Sequence, residues 1–325
     1  MHRCVVLVAV LAFAQLPAIA QSPSRTPWGD PDLQGTWDFT TITPLQRPPE
    51  LAGKEFLTER EAAALEKQIN QQRVQTEEVS PGSLGGVPRP ATDPGIYNLS
   101  WWWEPNGRRL VGTRRTSLVV DPSDGRVPPL TTQAQAVSRA RDEARELVRA
   151  PNDLPLAERC IMGFNSGPPM VPGPYNNLVQ IFQSPGYVVI GNEMVHDARI
   201  VPLDARPHLG DAFRFWAGDS RGWWEGDTLV VETRNMTDHG TGTFGLPGLT
   251  DRNARIVERF TRSDDRGLVY RFTITDPTVF SRPWSAEVPM TRTDGFVMEY
   301  ACHEGNYSLP NILAGARAEE KATKH

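Results

Sequence analysis

Histidine side chains are the first candidates for chemistry in this sequence, because an imidazole exchanges a proton near neutral pH. Period-two alternation from Val188 onward places His196 on the more apolar face of a predicted strand, together with Asn192. We therefore predict that His196 is buried and acts as a general acid or base. The carboxylate of Glu258 or Glu193 would orient the imidazole and raise its proton affinity. A purely structural pair of His196 and a glutamate is the alternative interpretation.

Arginine, tryptophan and asparagine side chains are the candidate contacts to a substrate. We predict that Arg199 or Arg282 holds an anionic group of the substrate, and that Asn192 and Trp224 contact the rest of it. Glu258 alternates with apolar residues of a predicted strand, and a buried carboxylate must be paired or have a shifted pKa. The expected reaction is that of a lyase, isomerase or hydratase acting on a partly apolar organic molecule.

A metal site is an alternative use of the same histidines. His196, His208 and His303, with a carboxylate such as Glu193 or Glu304, are the residue types that bind Zn²⁺ or a similar divalent transition metal. Their spacing matches no diagnostic zinc pattern. We favour acid–base chemistry without a cofactor, because one buried histidine in a pocket requires no ion.

A third interpretation, from a different functional class, is a non-catalytic carrier or a surface interaction module. Arginine-rich strands and tryptophan clusters such as Trp101–Trp103 would then form the binding surface, unless they pack loops over the end of the fold. The formal net charge of −5 and the absence of a basic block argue against nucleic acid as a partner. The expected partner is a small organic molecule, and the sequence indicates no oligomeric state.

The N-terminal residues have the pattern of a secretory signal peptide. A short polar start is followed by an apolar run over residues 5–16 and by small residues up to Ala20. Cleavage after Ala20 would leave one secreted or periplasmic β-rich domain, residues 21–325, with no later run long enough to span a membrane. In an oxidising compartment Cys160 and Cys302 would form a disulfide, with two buried free thiols as the alternative.

The elements that must position these residues are mostly strands. The composition, 39% hydrophobic and 22% charged over 325 residues, is typical of a folded protein. We predict a mainly β fold, an antiparallel meander or barrel with two peripheral helices. A capping box at Thr58–Glu61 indicates the start of one helix, and residues 132–148 form the other. Turn signals predict three hairpins, over residues 223–232, 256–274 and 284–300.

Two short motifs resemble the entry of lipocalin-like barrels. Gly35-Thr36-Trp37 stands where the first strand is predicted to begin and resembles the G-x-W motif of that family. Gly222-Trp223-Trp224 repeats the pattern at the head of the second group of hairpins. The resemblance implies a lipocalin-like fold, with the repeat suggesting a tandem arrangement.

Longer segments resemble a family of secreted bacterial proteins of uncharacterised function. The segments include GDSRGWWEGDTLVVET at residues 218–233 and EYACHEGNY at residues 299–307, and together with similar stretches they cover most of the chain. The resemblance implies secretion and a bacterial origin. It transfers no active-site residue.

Overall fold

A computed structural model describes residues 24–78, 83–84, 87–88, 110–146, 148–237 and 252–322. The predicted signal peptide and Trp101–Trp103 lie outside these residues. Within this part of the chain, no helix is both long enough and apolar enough to cross a membrane.

Ten strands form one antiparallel sheet, which confirms the predicted mainly β fold and its meander. The sheet order is β7-β6-β5-β1-β12-β11-β10-β9-β8. The tenth strand, β4, forms an additional pair with β12. A separate two-stranded ladder joins β2 and β3. The strands are β1 (Gly35–Asp38), β2 (Ser83–Leu84), β3 (Val87–Pro88), β4 (Val119–Asp121), β5 (Leu178–Ser184), β6 (Tyr187–Asn192), β7 (Ala198–Pro202), β8 (Asp219–Glu225), β9 (Thr228–Arg234), β10 (Arg255–Arg262), β11 (Gly267–Thr275) and β12 (Trp284–Thr293).

The sheet curls until its two edge strands meet. Cα atoms of β7 and β8 come within 8 Å of each other. At the contact, a Cβ atom on Gly222 would lie 2.8 Å from Val201 Cγ1 and 2.7 Å from Leu203 Cδ2, so only glycine allows this approach. No ladder joins β7 to β8 among the described strands, and the sheet is therefore not a closed barrel. We call its concave surface the inner face.

The predicted tandem arrangement is wrong. Trp37 lies on β1 in the middle of the sheet and Trp224 lies on the edge strand β8, so both motifs belong to one sheet. Both side chains face inward. Trp37 is fully buried and its indole Nε1 donates to the carbonyl of Leu33 at 2.9 Å, which fixes the chain just before β1.

Two of the three predicted hairpins are confirmed and the third is wrong. The β8–β9 and β10–β11 pairs form where the turn signals place them. The strand starting at Trp284 continues to Thr293, but residues 296–300 form no strand after it. The physical reason is that β12 already has β11 on one side and β1 and β4 on the other, so neither edge is open to a hairpin partner.

Three α-helices lie outside the sheet in the described part of the chain, one more than predicted. The capping box is confirmed: Thr58 N–H donates to Glu61 Oε2 at 2.9 Å, and Glu61 N–H donates to Thr58 Oγ1 at 3.3 Å. The third helix, which the sequence did not predict, extends to Ala322, and Arg317 holds it by donating to the carbonyl of Arg149. The helices are α1 (Glu59–Glu78), α2 (Thr132–Glu146) and α3 (Ser308–Ala322).

The predicted alternation around His196 is wrong beyond Asn192. The chain leaves β6 at Asn192 and turns through a 3₁₀ segment, where Val195 and His196 adopt the left-handed φ values of 61° and 42°. This turn changes which residues face inward on the next strand. Arg199 is consequently buried in β7, while Ile200 is 65% exposed. The His196 side chain is exposed instead of buried.

Candidate functional site

The most unusual group on the inner face is a buried ion pair between two of the predicted site residues. Arg199 of β7 donates through both terminal nitrogens to Glu258 of β10, with distances of 2.6 Å to Oε2 and 2.8 Å to Oε1. Their side chains are 4% and 0% exposed. The two strands are far apart in the sheet order, and curling brings them together across the inner face. Such a bidentate contact is the strongest geometry that arginine and carboxylate form.

Tyr270 of β11 completes this group, which we call the buried triad (Arg199, Glu258 and Tyr270). Its hydroxyl donates to Glu258 Oε1 at 2.7 Å and accepts the backbone N–H of Met170 at 3.0 Å. Burial, reinforced by the Glu258 carboxylate, raises the pKa of Tyr270 well above its ordinary value, so its hydroxyl stays neutral. Burial alone would lower the pKa of Arg199, but Glu258 raises it overall and keeps the guanidinium charged.

A second carboxyl group, that of Asp197, interacts electrostatically with the same guanidinium. Burial raises the pKa of Asp197, and the positive charge of Arg199 opposes that shift. In the described part of the chain, the ionisable groups that act on Arg199 are therefore Glu258, Asp197 and Tyr270, all of them acids. The Arg199 charge is fully compensated within the fold.

Several polar atoms near this face are buried without a hydrogen-bond partner among the described residues. They include Arg199 Nε, Asn192 Oδ1 and Trp224 Nε1. Asn192 lies diagonally from Arg199 on the inner face, and its Nδ2 donates to the carbonyl of Ser166 at 2.8 Å. A buried donor or acceptor without a hydrogen-bond partner lowers the free energy of unfolding by about 1–3 kcal/mol. Such groups are therefore rare in native proteins, and each one calls for an explanation.

The segment before β5 covers part of the inner face. Residues 165–171 are buried, and Met170 and Val171 belong to the main hydrophobic core. The hydrogen bonds from Met170 to Tyr270 and from Asn192 to Ser166 tie this Pro- and Gly-rich segment to the site. The same region begins at Cys160, whose predicted disulfide to Cys302 is confirmed.

The structure separates the remaining predicted site residues from the triad. Glu193 is buried elsewhere, where burial raises its pKa and the Met298 N–H donates to its Oε1 at 3.3 Å. Arg282 is half exposed and donates to Asp121 Oδ1 at 2.8 Å. His196 is exposed, so the predicted pair of His196 and Glu258 is not assembled. Arg199, Glu258, Asn192 and Trp224 are the predicted residues that the fold brings to one face.

His208 lies in a different cluster, on the opposite face of the sheet. Its Nδ1 is 3.0 Å from Asp219 Oδ2 on β8, and its Nε2 is 3.3 Å from Glu232 Oε1 on β9. Burial by itself would raise the pKa of the Glu232 carboxyl. The hydrogen bonds and positive charges of Arg255 and Arg234 outweigh burial, and the pKa is lowered overall. The histidine thus bridges two strands and fastens the loop before β8 to the sheet.

The predicted metal site of His196, His208 and His303 is not assembled. His196 and His303 are exposed, while His208 is held between its two carboxylates. Across the described ranges, no three His, Cys, Asp or Glu side chains are grouped so that they could hold a metal ion.

Tyr270 and Asp197 are the site residues that sequence reasoning missed. Tyr270 alternates with Leu268 and Phe272, both fully buried, on an otherwise apolar face of β11. A buried tyrosine hydroxyl needs a partner, which is a signal that the sequence offered. The position of Asp197 depends on the turn after β6 and had no such signal.

Comparison of the chain with profiles of known families, with curated proteins and with solved structures found no match.

Proposed function

We propose that this protein binds a small, partly apolar organic molecule on the inner face of the curled sheet, with the buried triad at the polar centre of the site. The observation that carries the proposal is Arg199 Nε, a charged-group donor that is buried and has no partner among the described residues. A buried ion pair is seldom more stable than apolar residues of similar size. Groups with perturbed ionisation inside an apolar core are accordingly candidates for function.

The geometry supports binding better than the predicted acid–base catalysis. The two oxygens of Glu258 accept three hydrogen bonds from Arg199 and Tyr270, and the Tyr270 hydroxyl is itself engaged on both sides. These contacts hold the protons of the triad in place. His196, which the sequence predicted as the general acid or base, is exposed on a turn. A carrier or binding protein is thus the interpretation that we retain.

We also propose that the protein is located outside the cytoplasm. The signal-peptide pattern up to Ala20 supports it, as does the disulfide between Cys160 and Cys302, because disulfides persist in oxidising compartments. The likeness to lipocalin-like barrels is likewise a proposal. Its support is the G-x-W motif at β1, the buried Trp37 and the curled antiparallel sheet.

Binding can be measured with prodan, an uncharged naphthalene ketone whose emission changes in an apolar site. We expect saturable binding to the purified protein at one molecule per chain. Trp224→Phe keeps an aromatic side chain, although a smaller one, and removes the orphaned indole N–H, so it should weaken binding several-fold. Trp223→Phe is the matched control, since Trp223 is 38% exposed on the other face of β8 and donates to Glu225. Non-saturable binding, or equal effects of both variants, contradicts the proposal.

A further inference from the structure

The charges on the inner face leave no place for an anion. Both terminal nitrogens of Arg199 donate to Glu258, and Asp197 adds a second electrostatic interaction with the guanidinium. Within the described residues the only other buried cation is Arg47, which donates to Thr116 and to the carbonyl of Ser123. A carboxylate entering this face would bring an uncompensated negative charge into a desolvated region, which is strongly unfavourable.

The hydrogen-bonding capacity that remains is suited to a neutral polar group. In the described part of the chain, the donors Arg199 Nε and Trp224 Nε1 have no hydrogen-bond partner. The acceptor Asn192 Oδ1 also lacks one. A carbonyl oxygen satisfies a donor, and a hydroxyl group satisfies either a donor or an acceptor. Phe272 and Val231, which share the inner face, belong to the main hydrophobic core, so the remainder of the ligand must be apolar to lie against this face.

We infer that the ligand of the inner face is an uncharged, largely apolar molecule bearing a carbonyl or hydroxyl group, and that Arg199 does not serve as a carboxylate receptor. The inference rests on the proposed function and specifies the class of ligand. It reverses the expectation from the sequence, in which Arg199 held an anionic group.

The test compares decanol with decanoate as competitors of bound prodan, at a pH where decanoate is ionised. On the wild-type protein, decanol should displace prodan at a concentration at least tenfold below that of decanoate. The Glu258→Gln variant removes the balancing charge from Arg199, so decanoate affinity should rise at least tenfold and the preference for decanol over decanoate should shrink by a similar factor. Asp121→Asn is the matched control: it frees Arg282 on the surface and should change neither affinity.

The outcomes separate the two proposals. If decanoate competes as well as decanol and Glu258→Gln changes nothing, the ligand class is wrong although binding stands. If prodan does not bind at all, the proposed function fails and this inference fails with it. Should Glu258→Gln not fold, the double variant Arg199→Met/Glu258→Leu replaces the pair without leaving a charge. Wild-type decanoate binding that disappears in this double variant would identify Arg199 as an anion receptor and overturn the inference.

Discussion

Replacing Arg199 with methionine should destabilise the protein by about 3–5 kcal/mol, because it leaves the Glu258 carboxylate buried without its cation. Glu258 is 0% exposed, and only the Tyr270 hydroxyl would still donate to it among the described contacts. Methionine is close to arginine in length and fills most of the vacated space, so the loss of packing is small. With about 2 °C per kcal/mol for a chain of this size, we expect a fall in Tm of roughly 6–10 °C.

The double variant Arg199→Met/Glu258→Leu separates the cost of an unpaired charge from the cost of lost packing. Replacing both partners by apolar residues removes the buried charge altogether, and such replacements are often neutral or stabilising. The Tyr270 hydroxyl loses its acceptor, at about 1 kcal/mol. We therefore expect the double variant to regain at least about 2 kcal/mol relative to Arg199→Met.

Urea unfolding followed by tryptophan fluorescence, with the disulfide intact, measures these differences through the transition midpoint and the m-value. Arg282→Met is the control, because its pair with Asp121 is half exposed, and exposed pairs contribute about 0–1 kcal/mol. A cost below about 1 kcal/mol for Arg199→Met would refute the buried pair. A double variant as unstable as the single one would show that packing, not charge, causes the loss.

Three further predictions concern other parts of the fold. Gly222→Ala places a methyl group against β7 and should destabilise the protein by about 1–3 kcal/mol, whereas Gly210→Ala, with open space around it, should stay within about 0.5 kcal/mol in the same urea assay. Burial raises the pKa of Glu193, so its contribution to stability is complete below its unfolded pKa and is lost as pH rises through the folded pKa. Glu193→Gln should flatten the decline of the urea midpoint as pH rises above the unfolded pKa of about 4.3, and an unchanged slope contradicts the assignment. His208→Ala should speed amide exchange in the loop before β8, lowering its opening free energy by about 1–3 kcal/mol, while the exposed His303→Ala should leave this exchange unchanged.

Local signals in the sequence predicted the elements that depend on neighbouring residues. The capping box at Thr58 and Glu61 predicted the start of α1, and the turn residues between the strands predicted the β8–β9 and β10–β11 hairpins. Both kinds of signal act over a few residues, so they need no knowledge of the rest of the chain. The predicted hairpin after β12 does not form, because its formation depends on distant parts of the chain: other strands occupy both edges of β12.

Composition and alternation by themselves determined that this chain forms an antiparallel β protein, that Glu258 faces a core, and that Cys160 and Cys302 are candidates for a disulfide. Only the tertiary structure decided what stands beside Glu258. The turn at Val195 and His196 changes which side of β7 faces inward, burying Arg199 and exposing His196. The curl of the sheet then brings β7 to β10, strands that are 59 residues apart at the contact. A charge is buried stably only where an opposite charge lies in contact with it. The contact between Arg199 and Glu258 depends on the curvature of the whole sheet, which no local sequence signal specifies.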